Sequence, residues 1–221
     1  MWFLRNTIAC PLAYEKIPLS TPVENLKFIV LDTETTGFHL ASEDRLIEIG
    51  AVAVDGLQVD EEDRFHTYVN PKRQISREIV ELTAITEECV KSAPDAVEAI
   101  SRLFAFVEER ESVCFVGHYI SFDALVLKSE LKRGNLGLKN LFTIDTLDLI
   151  GFLAPSYDMR DLACYARAFG TRMYQRHQAV SDALTTAYLF VELLLQLKDR
   201  GCLTWGELIQ ATESQARYLQ Y

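Results

Sequence analysis

The stretch from Leu46 to Val54, closed by Asp55-Gly56, most restricts what this chain can fold into. It is apolar along most of its length and carries Ile47, Ile49, Val52 and Val54, a pattern suited to a buried strand. The Asp-Gly pair at its end is a hairpin signal. A buried strand needs partners on either side. Phe28-Ile29-Val30-Leu31 is a second short apolar run, and Arg64 to Val69, closed by Asn70-Pro71, reads as the third strand.

After residue 90 the period changes. Pro94 opens a helical pattern that runs through Glu109, with Val97, Ile100, Leu103, Phe104 and Val107 on one face. Val113 to Val116 reads as a further buried strand. Ser121 is the expected N-cap of a helix that reaches Arg133 and stops at Gly134. Leu141 to Ile144 makes a fifth strand, and Asp158 to Phe169, Val180 to Leu197 and Trp205 to Leu219 read as helices. Hairpin-linked strands followed by strands alternating with helices predict an α/β fold built on a mixed sheet with helices packed on it. Residues 1–26, with Pro11, Pro18 and Pro22 and no sustained period, read as an N-terminal extension outside the central sheet, leaving 27–221 as the domain.

A chain of 221 residues with 49% hydrophobic and 24% charged residues has the composition of one ordinary globular domain rather than of a disordered segment. Its formal charge of -10 argues against a broad basic face for duplex nucleic acid. Lys128, Lys132, Arg133, Lys139, Arg160, Arg167, Arg172 and Arg176 nevertheless fall in a stretch poorer in acids, so a local basic rim is compatible with the sequence. Five cysteines, odd in number and widely spaced, indicate neither a disulfide framework nor a zinc site. Met1 to Leu4 is too short for a signal peptide, and no later segment reads as an uncharged span. The expectation is a reducing, cytoplasmic setting without a membrane.

The chemistry-bearing residues are acidic. Asp32 and Glu34 stand two residues apart at the exit of the first apolar strand, so both carboxylates project from one face. Two carboxylates held side by side repel unless a positive charge sits between them. Taken alone, Asp32-Thr33-Glu34-Thr35-Thr36-Gly37 is also a plain polar turn. Asp123 and Asp182 each fall in the first turn of an expected helix, where a negative side chain favours the helix dipole without any other role. His177 lies in a polar stretch five residues before Asp182, where a solvated histidine is the common outcome; with Asp182 nearby it is also a candidate base.

Together these segments resemble the DEDDh branch of the DnaQ-like exonuclease superfamily. Asp32-Thr33-Glu34-Thr35-Thr36-Gly37 resembles its first motif, Gly117-His118-Tyr119-Ile120-Ser121-Phe122-Asp123 its second, and His177-Gln178-Ala179-Val180-Ser181-Asp182-Ala183 its third, in the right order. Leu46 to Val52, Tyr68-Val69-Asn70-Pro71 and Asp145-Thr146-Leu147 resemble the segments that accompany them. The resemblance implies a ribonuclease H-like fold, a five-stranded mixed sheet with helices on both sides. It further implies a 3′-to-5′ exonuclease in which Asp32, Glu34, Asp123 and Asp182 bind two divalent ions. All-oxygen ligation suits Mg2+ or Mn2+. His177 would be the general base, a role suited to an imidazole, which ordinarily titrates at about 6.5. Backbone groups around Thr35, Thr36 and Gly37 would meet the terminal nucleotide, with Phe38 or Phe122 packed on its base or sugar. Tyr119 departs from the asparagine common after the second-motif histidine, which implies different contacts near the penultimate nucleotide.

The first motif is closer to proofreading-type relatives than to oligoribonucleases. Expected partners are therefore single-stranded DNA or RNA 3′ ends, DNA leading, with a polymerase as a further candidate partner. A relative that binds strand ends without cutting fits less well, because all five positions are filled. Glu48, Asp145, His66 and His118 are read as structural, each expected to be hydrogen-bonded within the fold.

Overall fold

The computed structural model describes residues 6–156 and 161–218, with side chains through residue 212. Its centre is a five-stranded sheet. Strand β2 (Lys27–Thr35) pairs antiparallel with β3 (Leu46–Asp55), which pairs antiparallel with β4 (Gln58–Tyr68). On the other side β2 runs parallel to β5 (Cys114–Gly117), and β5 runs parallel to β7 (Thr143–Asp145), giving the order β4-β3-β2-β5-β7. Strand β1 (Asn6–Ala9) pairs instead with β6 (Leu136–Lys139), in a separate two-stranded sheet.

Helices cover both faces, and the alternation along β2 shows why. Phe28 and Val30 point into a core shared with α5 (Thr146–Leu153), α6 (Leu162–Ala168), α7 (Ala179–Asp199) and α8 (Trp205–Tyr218). Ile29 and Leu31 point the other way, against α3 (Ala96–Glu109) and α4 (Ile120–Arg133). Two short helices, α1 (Arg77–Thr83) and α2 (Glu87–Val90), lie between β4 and α3, and α1 is capped by Ser76. The mixed five-stranded sheet with helices on both sides is the ribonuclease H-like architecture that the motifs implied.

Several details differ from the sequence expectation. Strand β4 begins at Gln58 rather than Arg64, because a register shift between Val52 and Ala53 lets the polar run Asp60 to Asp63 continue the outer edge. Ser121 does not cap α4. The chain enters that helix through Tyr119, held at φ 60° in the left-handed region, with its backbone N–H donated to Asp145 Oδ1 at 3.1 Å. Helix α7, expected from Val180, starts at Ala179 after Gln178. The helix expected from Asp158 is described from Leu162, with Asp161 as its cap, while Asp158, Arg160 and Leu219 lie outside the described residues. Helix α7 is long and apolar enough to cross a membrane, although it carries Asp182 and Glu192. In the fold it is a core helix, with Leu184, Ala187, Phe190, Leu193, Leu194 and Leu197 buried.

Candidate active site

Asp32 and Glu34 follow Phe28 and Val30 on the α7 side of β2, so side-chain parity carries both carboxylates toward the start of that helix. Across the ladder Asp32 is opposite Gly50 and Glu34 is opposite Glu48. Gly50 is what lets the helix come close. A Cβ there would sit 2.2 Å from backbone atoms of Ala179 and Val180, so any other residue would push the helix off the sheet. Glu48 then ties the same turn down, its Oε2 accepting the Ala179 N–H at 2.9 Å while Oε1 lies 2.7 Å from His66 Nε2.

This docking brings the third motif to the first. Ring or carboxylate ligand atoms of Glu34, His177 and Asp182 all lie within 4.8 Å of one another. His177 adopts φ 63° and donates its backbone N–H to Asp182 Oδ2 at 2.9 Å, which fixes where the loop turns into α7. Arg176, the residue before it, places Nη1 2.6 Å from Asp182 Oδ1. That contact is close enough for an ion pair but is not aligned as a hydrogen bond, and the buried Oδ1 has no hydrogen-bond partner.

Asp123 arrives from the opposite face. Thr33 points away from α7, and its hydroxyl donates to Asp123 Oδ1 at 2.6 Å, holding the carboxylate buried beneath the strand end. Burial raises the pKa of all four acids. Asp32 is pushed well above the usual carboxylate range by burial and then by the charges of Asp123, Asp182 and Glu34. Glu34 is raised to about 8 by burial, Asp182 and Glu48, with Arg176 opposing. Asp123 is raised to about 7 by burial, against the Thr33 hydrogen bond, and Asp182 is raised by burial against the pull of Arg176. Four buried carboxylates that resist ionisation together, opposed by the Arg176 guanidinium, form a site that fits divalent cations.

The cluster opens into a cleft of about 390 Å³. Asp32, Glu34, Thr35, Gly37, Phe38, Phe122, His177 and Asp182, all expected in the site, line it. Thr36 does not. Its hydroxyl donates to Asp44 Oδ1 and its N–H to Arg45 O, so its donors are used inside the fold. Gly37 packs so tightly on Asp44 that a Cβ would lie 2.5 Å from Oδ2. Phe38, 82% exposed, and Phe122 stand 5.7 Å apart at the mouth.

Sequence reasoning missed Arg176 as a site residue, and it missed Ile79 and Leu82 of α1, which reach the cleft wall. Arg176 adjoins the third motif and was legible as a basic neighbour. Nothing in α1 signals its position. Glu48, Asp145, His66 and His118 are hydrogen-bonded within the fold as expected. Asp145 caps α5, and His118 Nδ1 lies 2.8 Å from Thr146 Oγ1.

A five-stranded mixed sheet under helices, with acids gathered where its central strand ends, defines the ribonuclease H-like nuclease class. Residues 29–190 match the family described as Exonuclease, and the chain belongs to that family. It is 30% identical over 208 residues to the PolC-type DNA polymerase III of Staphylococcus aureus, covering 94% of this chain but only 14% of that protein. Among solved structures it is similar to exonuclease X in complex with 5′ overhanging duplex DNA, at 22% identity and TM-score 0.64, over 84% of this chain and 99% of that one. It is also similar to the nuclease domain of 3′hExo, a DEDDh family member bound to rAMP, at 18% identity and TM-score 0.68, over 76% and 92%.

Proposed function

We propose that this protein is a divalent-metal-dependent 3′-to-5′ exonuclease that releases nucleoside 5′-monophosphates from single-stranded DNA ends. The observation that carries the reading is the juxtaposition of Glu34, His177 and Asp182 within 4.8 Å, in the cleft that Asp32 also lines. Asp32, Glu34, Asp123 and Asp182 would hold two Mg2+ or Mn2+ ions, which when bound polarise the phosphate and favour ionisation of the attacking water.

The protein's own groups do the rest. His177 accepts the proton of that water through a ring nitrogen, its position set by the backbone bond to Asp182. Phe38 and Phe122 offer apolar surfaces at the mouth against which the terminal base or sugar packs. Thr35, with its hydroxyl donated to Gly37 O at 2.7 Å, shapes the turn on which the terminal nucleotide rests.

End-labelled DNA and RNA strands incubated with magnesium, manganese or EDTA test this directly. Monophosphates should leave the 3′ end only with metal, and DNA should be preferred over RNA. Asp32→Ala should abolish cleavage. His177→Ala should lower kcat by about 10²–10⁴ with little change in strand binding. A chain that releases nothing from either strand in any metal would sink the proposal.

The similarity to a part of a PolC-type polymerase supports a second reading, an editing module that works beside a polymerase. Slow cleavage alone that rises on adding a polymerase subunit would favour it. A reducing, cytoplasmic setting belongs to both readings and rests on the spacing of the cysteines.

A further inference from the structure

Beyond the catalytic cleft, the outer face of α4 carries a second feature. Phe122 lines the cleft mouth, and the exposed positions that follow along the same helix are Leu125, Lys128 and Lys132. Loop residues Leu40 and Ala41 face them across a groove of about 410 Å³. The two depressions are neighbours along the chain, since Phe38 and Phe122 at the cleft mouth stand two and three residues before Leu40 and Leu125 of the groove.

The charges in this groove are not equivalent. Arg133 is committed, with Nη1 donating to Glu130 Oε1 at 2.9 Å and Nη2 to Leu40 O at 2.7 Å, so it fastens the loop to the helix. Arg45 binds the same Glu130. Lys128 and Lys132 are exposed and, among the described residues, form no ion pair. On a chain of net charge -10, two uncommitted lysines one helical turn apart beside the cleft mouth make a local positive track.

We propose that this groove holds the upstream, single-stranded part of the nucleic acid whose 3′ end occupies the cleft, with Lys128 and Lys132 on its phosphates and Leu125 beneath a base. The proposal rests on the exonuclease reading and extends it. From Phe122 to Lys132 the helix rises about 15 Å, enough for several nucleotides beyond the terminal one. Charge complementarity selects a polyanion, and the position of the groove one helical turn beyond the cleft mouth selects one that already has its end there. The ordinary alternative is a solvated helix face whose basic end only complements the dipole.

Binding and active-site turnover separate the two readings. Binding of an oligothymidylate of about 12 nucleotides is followed by fluorescence anisotropy across a salt series, in EDTA so that no turnover intervenes. The p-nitrophenyl ester of thymidine 5′-monophosphate reports cleft chemistry alone, with magnesium or manganese. Lys128→Glu with Lys132→Glu should weaken oligonucleotide binding about tenfold at low salt and lower the slope of log affinity against log salt by about 1.4. Lys128→Gln with Lys132→Gln, which adds no charge at the helix end, should show the same direction. Ester hydrolysis should stay within about twofold of the parent for both pairs. Unchanged affinity and slope would overturn the proposal, as would loss of binding to a Glu-rich peptide but not to the oligonucleotide. If the unsubstituted protein hydrolyses neither ester nor strands, the exonuclease reading falls, and anisotropy still decides the groove.

Discussion

Arg176 places its guanidinium 2.6 Å from Asp182 Oδ1, an oxygen that is buried and lacks a hydrogen bond. It is the cation that opposes the raised pKa of Asp32, Glu34 and Asp182. Arg176→Ala should therefore destabilise the metal-free protein by roughly 1 kcal/mol, a modest figure because the arginine is partly solvated. Saturating magnesium should narrow the gap. Equal melting temperatures of parent and variant in EDTA would show that the pair contributes nothing.

The same acids make stability depend on pH. Glu34 at about 8 and Asp123 at about 7 stand above their ordinary values of 4.5 and 3.8, so the folded state binds these protons more tightly than the unfolded chain does. Their contribution is complete below about pH 4 and is lost as pH rises through the folded values at about 7 to 8. A divalent ion held among these acids would remove the repulsion that develops in that window. Thermal melts should thus show a larger gain from manganese over EDTA at about pH 8 than at about pH 5.5. A gain independent of pH would count against the acids as the binding site.

Gly50 is required by packing rather than by backbone conformation. Its missing Cβ makes room for the backbone at Ala179 and Val180. Gly50→Ala should cost about 3 kcal/mol, at the upper end for overpacking, because the obstructing atoms are backbone and cannot rotate away. Chemical denaturation would measure this, and a loss below about 0.5 kcal/mol would mean that α7 shifts freely.

Glu48 holds the turn that carries the third motif, through the Ala179 N–H and beside His66. Glu48→Ala leaves that buried N–H without an acceptor and should cost about 1–3 kcal/mol. Turnover should fall mainly in kcat, since the residue positions His177 and Asp182 without lining the cleft they share. Glu48→Gln retains one acceptor and should recover most of both losses. A Glu48→Ala variant altered only in KM would argue that the residue acts on substrate instead.

The apolar runs at β2, β3 and β5 were legible because a strand buried on both faces leaves a nearly continuous hydrophobic signature. The polar first half of β4 was not, since an edge strand with alternating exposure carries Asp60 to Asp63 without penalty. Helices α1, α2 and α5 are short, and their apolar residues are set by neighbours distant in sequence, so local periodicity gave no outline of them. Thr36 was read as a contact of the terminal nucleotide, but Asp44 and Arg45 engage it first, a competition visible only once the loop is folded.

What the chain determined by itself is the set of acids and the face from which two of them project. Asp32 and Glu34 share a side of β2 because strand side chains alternate, whatever the rest of the molecule does. Tertiary structure decided which groups meet them. The absent side chain at Gly50 and the hydrogen bond from Ala179 to Glu48 bring His177 and Asp182 down on one face, while Thr33 reaches through to Asp123 on the other. Those contacts span 90 to 131 residues of sequence. They exist only after burial has packed helices against both sides of the sheet.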